Sequence, residues 1–320
     1  MAIMEKIQQF IMKKFMYVIF EKENSLSERD GYVKFNEESP VRYEIMIEGE
    51  KYGKRTGFGP RVAPIMASVI RNQNKVLNTL KKNPQNPRIE INDEELKELE
   101  RLAKKHGAGV IGYTKISEQL VFKNKAVLHP NAIVLSFEMQ KDKIDTAPSV
   151  KCLHEVLRTY DDLGIVSNKI AKFLRRKGFS AHAGHPLMGA ALYPPMAQSA
   201  GIAWLGYSGI MISPEFGPRF RLAAVFTSIE NFPEAEVNEQ SWISDYCNKC
   251  RKCIKECPGN AILDQAIEHP NGRITHVENT KCMPHFINEY GCSICIKVCP
   301  FNNIDYYKLK ENFEKKFETY

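Results

Sequence analysis

Cys247-Asn248-Lys249-Cys250-Arg251-Lys252-Cys253-Ile254-Lys255-Glu256-Cys257-Pro258 is followed by Cys282 and then by Gly291-Cys292-Ser293-Ile294-Cys295-Ile296-Lys297-Val298-Cys299-Pro300. These runs hold eight of the chain's nine cysteines. A cubane cluster needs four thiolates at the corners of a tetrahedron, and a Cys-x2-Cys-x2-Cys loop supplies three of them. In modules that carry two [4Fe–4S] clusters, the Cys before Pro ligates the other cluster. The spacing therefore predicts one cluster on Cys247, Cys250, Cys253 and Cys299, and a second on Cys257, Cys282, Cys292 and Cys295. The pieces cross, which brings the clusters within electron-transfer reach. Nine residues separate Cys282 from Cys292, so the loop 283–291 is an insertion between ligands.

Other uses of these cysteines fit less well. A disulfide framework belongs to small secreted chains in an oxidising compartment, and this chain has 320 residues. Zinc sites pair Cys-x2-Cys units and leave the triple run and both Cys-Pro ends unexplained. Thiolate ligands require a reducing compartment, so a cytoplasmic location is expected, in an anaerobe. Lys+Arg number 45 and Asp+Glu 38, a formal net charge of +7. Two oxidised clusters with their thiolates lower that to roughly +3. Such a mild balance does not argue for nucleic acid. In residues 1–20, Lys6, Lys13 and Lys14 interrupt the apolar positions. No run there reaches the length of a membrane span or signal core, and an amphipathic helix docked on the body is expected.

Periodicity outlines the rest. Two strands are expected within 31–48 and a helix over 64–81. Asn92-Asp93-Glu94-Glu95 reads as a helix start, with the helix running to His106-Gly107. Buried strands are expected at 110–113 and 132–137, and a long helix at 149–177. A short helix should fill 194–200, with strands at 210–212 and 222–227 and a charged helix over 305–320. Helices and strands interleave from 92 to 230, which is the pattern of an α/β (α+β) domain with a central sheet covered by helices. Length favours more than one domain. The divisions expected are 1–91 as an N-terminal helix and strand extension, 92–235 as the catalytic domain, 236–304 as the two-cluster domain and 305–320 as the terminal helix.

Residues 197–227 supply the next signal, Ala200-Gly201-Ile202-Ala203-Trp204-Leu205-Gly206-Tyr207-Ser208-Gly209 among them. Glycines at 201, 206, 209 and 217 let backbone approach a flat ligand or take positive φ. The spacing is not that of a dinucleotide fingerprint. This segment, the isolated Cys282 before the 291–300 run, and His106-Gly107-Ala108-Gly109-Val110-Ile111-Gly112 together carry a resemblance. Over roughly residues 92–304 the chain resembles the corrinoid-dependent iron–sulfur reductases, meaning epoxyqueuosine reductase and the reductive dehalogenases. Ser213-Pro214-Glu215-Phe216-Gly217-Pro218-Arg219 and the strand after it resemble the dehalogenase side.

The resemblance implies a cobalamin held in the α/β domain, with a ferredoxin-like two-cluster domain beneath it. The cluster ligated by Cys282 would be the nearer one and would reduce the cobalt. Gly201, Trp204, Gly206, Ser208, Gly209 and Gly217 would contact the corrinoid. A small-molecule substrate and a ferredoxin- or flavodoxin-type electron donor would follow. The chain also departs from the pattern. The position of the epoxyqueuosine reductase catalytic aspartate falls on Leu187, which cannot donate a proton. Tyr207, Ser208 and Ala203 replace other residues usual in that segment. The sequence ends about twenty residues after Cys299, without the tail that helps epoxyqueuosine reductases hold tRNA, and it carries no dehalogenase export signal.

Proton donors are therefore sought nearby. His182 and His185, in Ser180-Ala181-His182-Ala183-Gly184-His185-Pro186, and Tyr193 are the candidates. Cys152, on the apolar face of the long helix, reads as core filler. Lys172, Arg175, Arg176 and Lys177 read as a cap on that helix's dipole. Three functions follow in order: a corrinoid-dependent reductase of a small molecule, a ferredoxin-type electron carrier without corrinoid, and a tRNA-modifying reductase.

Overall fold

The computed structural model describes residues 17–42, 49–52, 62–186, 189–233, 238–269 and 274–317. In chain order the strands are β1 (Val33–Lys34), β2 (Ile111–Lys115), β3 (Ala126–Val127), β4 (Asn131–Glu138), β5 (Ala181–Ala183), β6 (Trp204–Leu205), β7 (Met211–Ile212) and β8 (Phe220–Thr227). The helices that position the site are α1 (Ala63–Thr79), α2 (Asp93–Lys105), α3 (Val150–Arg176) and α4 (Tyr193–Ser199).

The central sheet has the order β2-β4-β8-β5, and each neighbouring pair is antiparallel. Successive side chains of a strand point to opposite faces, and the core divides accordingly. Ile133 and Leu135 of β4 and Ala223 and Val225 of β8 pack on one side, with Leu163, Val166, Ile170 and Leu174 of α3. Ala132, Val134, Ala224 and Phe226 pack on the other, with Tyr193, Met196 and Ala197 of α4. Both faces are covered, so the central strands read as unbroken apolar runs instead of alternating ones. The expected helix-covered sheet is present, and its antiparallel pairing gives it α+β character.

Local signals explain the helix ends. The Asn92 side chain accepts from the Glu95 amide while the Glu95 carboxylate accepts from the Asn92 amide, a capping box that starts α2. Ser149 caps α3 through the Cys152 amide. Lys177 ends α3, and Gly178 at φ +87° turns the chain back.

The division expected at 91/92 does not follow a break in packing. Val76 of α1 and Ile91 belong to the same core as α3, and Ile19 and Phe20 pack on Val69 of α1. One of the two strands expected within 31–48 is β1, which pairs with β3. Most of the other falls on 43–48 and, like residues 1–16 of the expected N-terminal helix, lies outside the described residues.

The cysteine-rich part contains α5 (Trp242–Cys250), α6 (Lys252–Lys255), the hairpin β9 (Ile262–Glu268) and β10 (Ile274–Val277), α7 (Asn279–Asn288), α8 (Ile294–Lys297), α9 (Pro300–Asn303) and α10 (Tyr306–Phe317). The insertion 283–291 largely continues α7. The terminal helix α10 is charged outside but buries Tyr306 and Leu309 against Ile212, Ile243 and Phe301. That contact ties the cysteine-rich part to the β6–β7 hairpin. Among the described residues, no helix is long and apolar enough to cross a membrane.

Candidate functional site

The eight cysteines of the two runs are free thiols, and the fold sorts them into two groups. Burial pushes the Cys299 thiol far above its ordinary range, and its charged neighbours are Cys247, Cys253 and Cys250. Burial pushes Cys282 up to about 11, with Cys292 and Cys257 beside it. Cys295 is pushed up to about 12 by burial, and Cys292 and Cys282 add to the effect. The groups adjoin through Cys253 and Cys257. These neighbours follow the two quartets expected from the spacing in part: Cys295 also has Cys253 of the other set nearby, and among the described residues no three of the thiols are drawn together as a metal-holding group. Backbone amides point at the sulfurs: Tyr207 donates to Cys247, Phe301 to Cys299 and Ala261 to Cys257 at 3.4 Å. Left-handed backbone at Arg251, Cys292 and Ser293 bends the chain between neighbouring ligands. Crowded, half-buried thiols with amides aimed at them are a poor arrangement for neutral side chains. They suit the thiolates of an iron–sulfur cluster, whose charge those N–H groups offset.

A cavity of about 1560 Å³ separates the quartets from the sheet. That exceeds the roughly 300–1,000 Å³ of common small-ligand pockets. Cys257, Cys282, Cys292 and Cys295 all line it, whereas the other quartet contributes only Cys247. Leu153, Val156, Leu157 and Tyr160 of α3 also line it, with Tyr290 packed against Leu153 and Leu157 and with Val156 in the same cluster as Cys295. Phe286 and Ile287 of α7 line it as well. Arg221 of β8 enters the same space, its guanidinium 5.2 Å from the centre of the Tyr160 ring. Its Nε is buried and has no hydrogen-bond partner among the described residues. A buried donor without a partner is costly, so an acceptor supplied by a ligand fits here. The size, the apolar walls, the adjoining thiols and this donor suit a large, flat cofactor with a substrate above it.

The residues expected to contact that cofactor divide. Trp204, Ser208 and Gly209 line the cavity, with Trp204 fixed by its indole N–H donating to Ser244 Oγ at 2.7 Å. Gly201, Gly206 and Gly217 do not line it, and each has a backbone role. Gly201, at φ +72°, terminates α4. A Cβ on Gly206 would lie 2.7 Å from Ile212 Cδ1 and 3.0 Å from the Ile210 carbonyl, inside the β6–β7 turn. A Cβ on Gly217 would lie 2.0 Å from the Phe301 carbonyl oxygen, so this glycine lets the sheet domain meet the cysteine-rich part.

The three expected proton donors lie elsewhere. His182, His185 and Tyr193 are buried, and none lines the large cavity. His182 sits on the edge strand β5 and accepts the Leu128 amide at Nδ1. Tyr193 points into the core and donates to the His185 carbonyl at 3.3 Å. Burial lowers the two histidines to about 4 and about 3. Leu187 lies outside the described residues. Cys152 is core, packed with Met139, Ile144 and Ile296. The basic residues at the end of α3 reach neighbouring elements: Arg175 donates to the Ala181 carbonyl of β5 and Lys177 pairs with Glu98 of α2 at 2.7 Å.

Sequence reasoning missed Tyr160 and Arg221. Tyr160 reads as one more apolar position on α3. Arg221 stood inside the dehalogenase-like stretch, and a charge within an otherwise apolar strand was the available signal.

Residues 246–302 match the 4Fe-4S double cluster binding domain family. Over 217 residues the chain is 31% identical to a tetrachloroethene reductive dehalogenase of Desulfitobacterium hafniense, covering 62% of this chain and 38% of that one. Over 129 residues it is 30% identical to an epoxyqueuosine reductase of Listeria monocytogenes, covering 37% of this chain and 32% of the relative. The chain thus spans well under half of the curated relatives it matches. The fold is shared with a reductive dehalogenase whose structure suggests a mechanism for B12-dependent dehalogenation. That match has a TM-score of 0.63 and 19% identity, and covers 80% of this chain and 40% of the other. This chain is a divergent relative of the reductive dehalogenases and epoxyqueuosine reductases, with their double-cluster iron–sulfur domain at its C-terminal end.

Proposed function

We propose that the protein is an iron–sulfur oxidoreductase that reduces a small organic molecule on a corrinoid held in the cavity, in the manner of a reductive dehalogenase. One observation carries the reading. One cavity is lined both by the four thiols of one quartet and by the Tyr160–Arg221 pair. The eight cysteines would hold two [4Fe–4S] clusters in the quartets described. Trp204, Ser208, Gly209 and the α7 side chains would hold the corrinoid, which when bound supplies a cobalt centre able to take up electrons and act on the substrate.

The chain's own residues supply the rest. Apolar side chains of α3 and α7 exclude water from the reacting centre. Tyr160 holds a proton at its hydroxyl, facing the cavity. The Arg221 guanidinium beside it is placed to stabilise the phenolate left when that proton departs. Replacing a carbon–halogen bond by carbon–hydrogen takes two electrons and one proton and releases halide. Tyr160 is the proton source and the cluster side is the electron source. Thiolate ligands need a reducing compartment, so the cytoplasm is the proposed location.

The test is anaerobic turnover with protein reconstituted with iron, sulfide and cobalamin, followed by halide release from chlorinated and brominated aromatics and alkenes. Halide release that requires both clusters and corrinoid supports the reading. Reduction of an epoxide with no halide release would move the protein to the epoxyqueuosine-reductase side. Clusters without corrinoid uptake would make it an electron carrier.

A further inference from the structure

The two quartets differ in their distance from the cavity. Cys257, Cys282, Cys292 and Cys295 all line it, and Cys250, Cys253 and Cys299 do not. Electrons bound for the cavity leave most directly from the first group, and the second, which reaches the cavity only through Cys247, is the more distant point of entry. The outer quartet is wrapped by residues 248–255, which carry Lys249, Arg251, Lys252 and Lys255 and no carboxylate. Lys249 lies over the Phe313 ring at 4.9 Å. Arg251 turns inward over the Tyr207 ring and reaches Asp264 at 3.7 Å. Lys252 and Lys255 are exposed. Among the described residues, the ion pairs include neither of them. They stand three apart on the one-turn helix α6, with Cys253 between them. Like charges at that spacing repel by a few tenths of a kcal/mol. Asp245 and Glu256 flank the run in sequence, and Glu256, exposed beside Lys255, is the carboxylate at the rim of the patch.

We propose that the surface formed by residues 248–255 docks an acidic one-electron carrier protein, which delivers electrons to the chain at the outer quartet. The proposal rests on the two-cluster reading. The transfer balances simply. The carrier loses one electron and the oxidised cluster on Cys247, Cys250, Cys253 and Cys299 gains it. No bond is made or broken and no proton is needed. Paired ammonium groups at the rim of the acceptor attract an anionic surface and orient it, which raises the encounter rate at low salt. A competing role for the lysines is only to offset the cluster's own negative charge. That role would slow every reductant alike.

The experiment uses the reconstituted holo-protein and follows bleaching of the iron–sulfur absorbance in a stopped-flow instrument under anaerobic conditions. Reduced flavodoxin is the acidic carrier and the methyl viologen radical cation is the small, positively charged control. Lys252→Glu/Lys255→Glu should slow bleaching by flavodoxin about tenfold or more at low ionic strength and flatten its salt dependence. Bleaching by methyl viologen should be unchanged or faster. Lys252→Gln/Lys255→Gln should fall between. Iron content equal to wild type in both variants shows that the clusters are intact. Equal flavodoxin rates in wild type and variant, or equal slowing with both reductants, would overturn the proposal. Wild-type protein bleached by methyl viologen but not by flavodoxin would overturn it too. Absence of bleaching with either reductant, at low iron content, would remove the two-cluster reading itself.

Discussion

Arg221 holds its guanidinium 5.2 Å from the centre of the Tyr160 ring, and both residues face the large cavity. Tyr160 comes from the long helix α3 and Arg221 from the central strand β8, so rigid elements fix the pair on opposite sides of one packing layer. If Tyr160 is the proton source, Tyr160→Phe keeps the ring under the guanidinium and removes only the hydroxyl. Turnover should fall by about 10²–10⁴-fold, with iron content and cofactor uptake unchanged. Full activity in that variant would place the donor elsewhere.

Ligand assignment separates the cysteines sharply. Cys282→Ala should remove one cluster, about four iron atoms per chain, and leave the other. Cys152→Ala should keep both, because Cys152 packs among Met139, Ile144 and Ile296 as core. Iron analysis and the cluster's electron paramagnetic resonance signal read the difference. Equal iron in the two variants would contradict the quartets.

Gly217 is a steric requirement as well as a turn. It sits at φ +55°, and an added Cβ would lie 2.0 Å from the Phe301 carbonyl oxygen. Gly217→Ala should cost about 2–4 kcal/mol, visible as a clear drop in melting temperature. Gly31 is the control. It has a similar φ of +77° with nothing within 4 Å of an added Cβ, so Gly31→Ala should cost only about 1 kcal/mol.

The buried histidines make the fold acid-sensitive. Burial lowers His182 to about 4 and His185 to about 3, below the roughly 6.5 of an unfolded histidine. Below pH about 6.5 the unfolded chain binds protons that the native chain refuses. The stabilising contribution is thus fully present above that pH and is lost as pH falls toward 4. The melting temperature, scanned at one heating rate, should decline from pH 7.5 to 5.5, and His182→Asn should shallow the decline. A flat profile would contradict the burial of these rings as neutral groups.

What the sequence made legible follows from the range of the physics involved. A Cys-x2-Cys-x2-Cys loop is a spacing of a few residues, so Cys247, Cys250 and Cys253 read as ligands of one cluster without coordinates, whereas the exchange of Cys257 and Cys299 between clusters comes from the pattern of two-cluster modules. Helix starts at Asn92 and Ser149 were readable for the same reason, since a cap is a contact over three residues. The cavity wall was not. Tyr160 has the spacing of a core residue, and only the packing of α3 beside the cysteine-rich part brings it to the cavity. His182, His185 and Tyr193 were chosen because they precede the glycine-rich segment. Yet β5 lies at the sheet edge, and Tyr193 packs into the core between α4 and the sheet. Nearness along the chain did not become nearness in space. Of the four glycines, only Gly209 faces the cavity, because turns and close backbone packing also require glycine.

The most direct test is metal content after anaerobic purification and reconstitution with cobalamin. Two quartets beneath one corrinoid-sized cavity should give about eight iron atoms and one cobalt per chain. About eight iron atoms with no retained cobalt would contradict the corrinoid-dependent reductase and leave an electron carrier in its place.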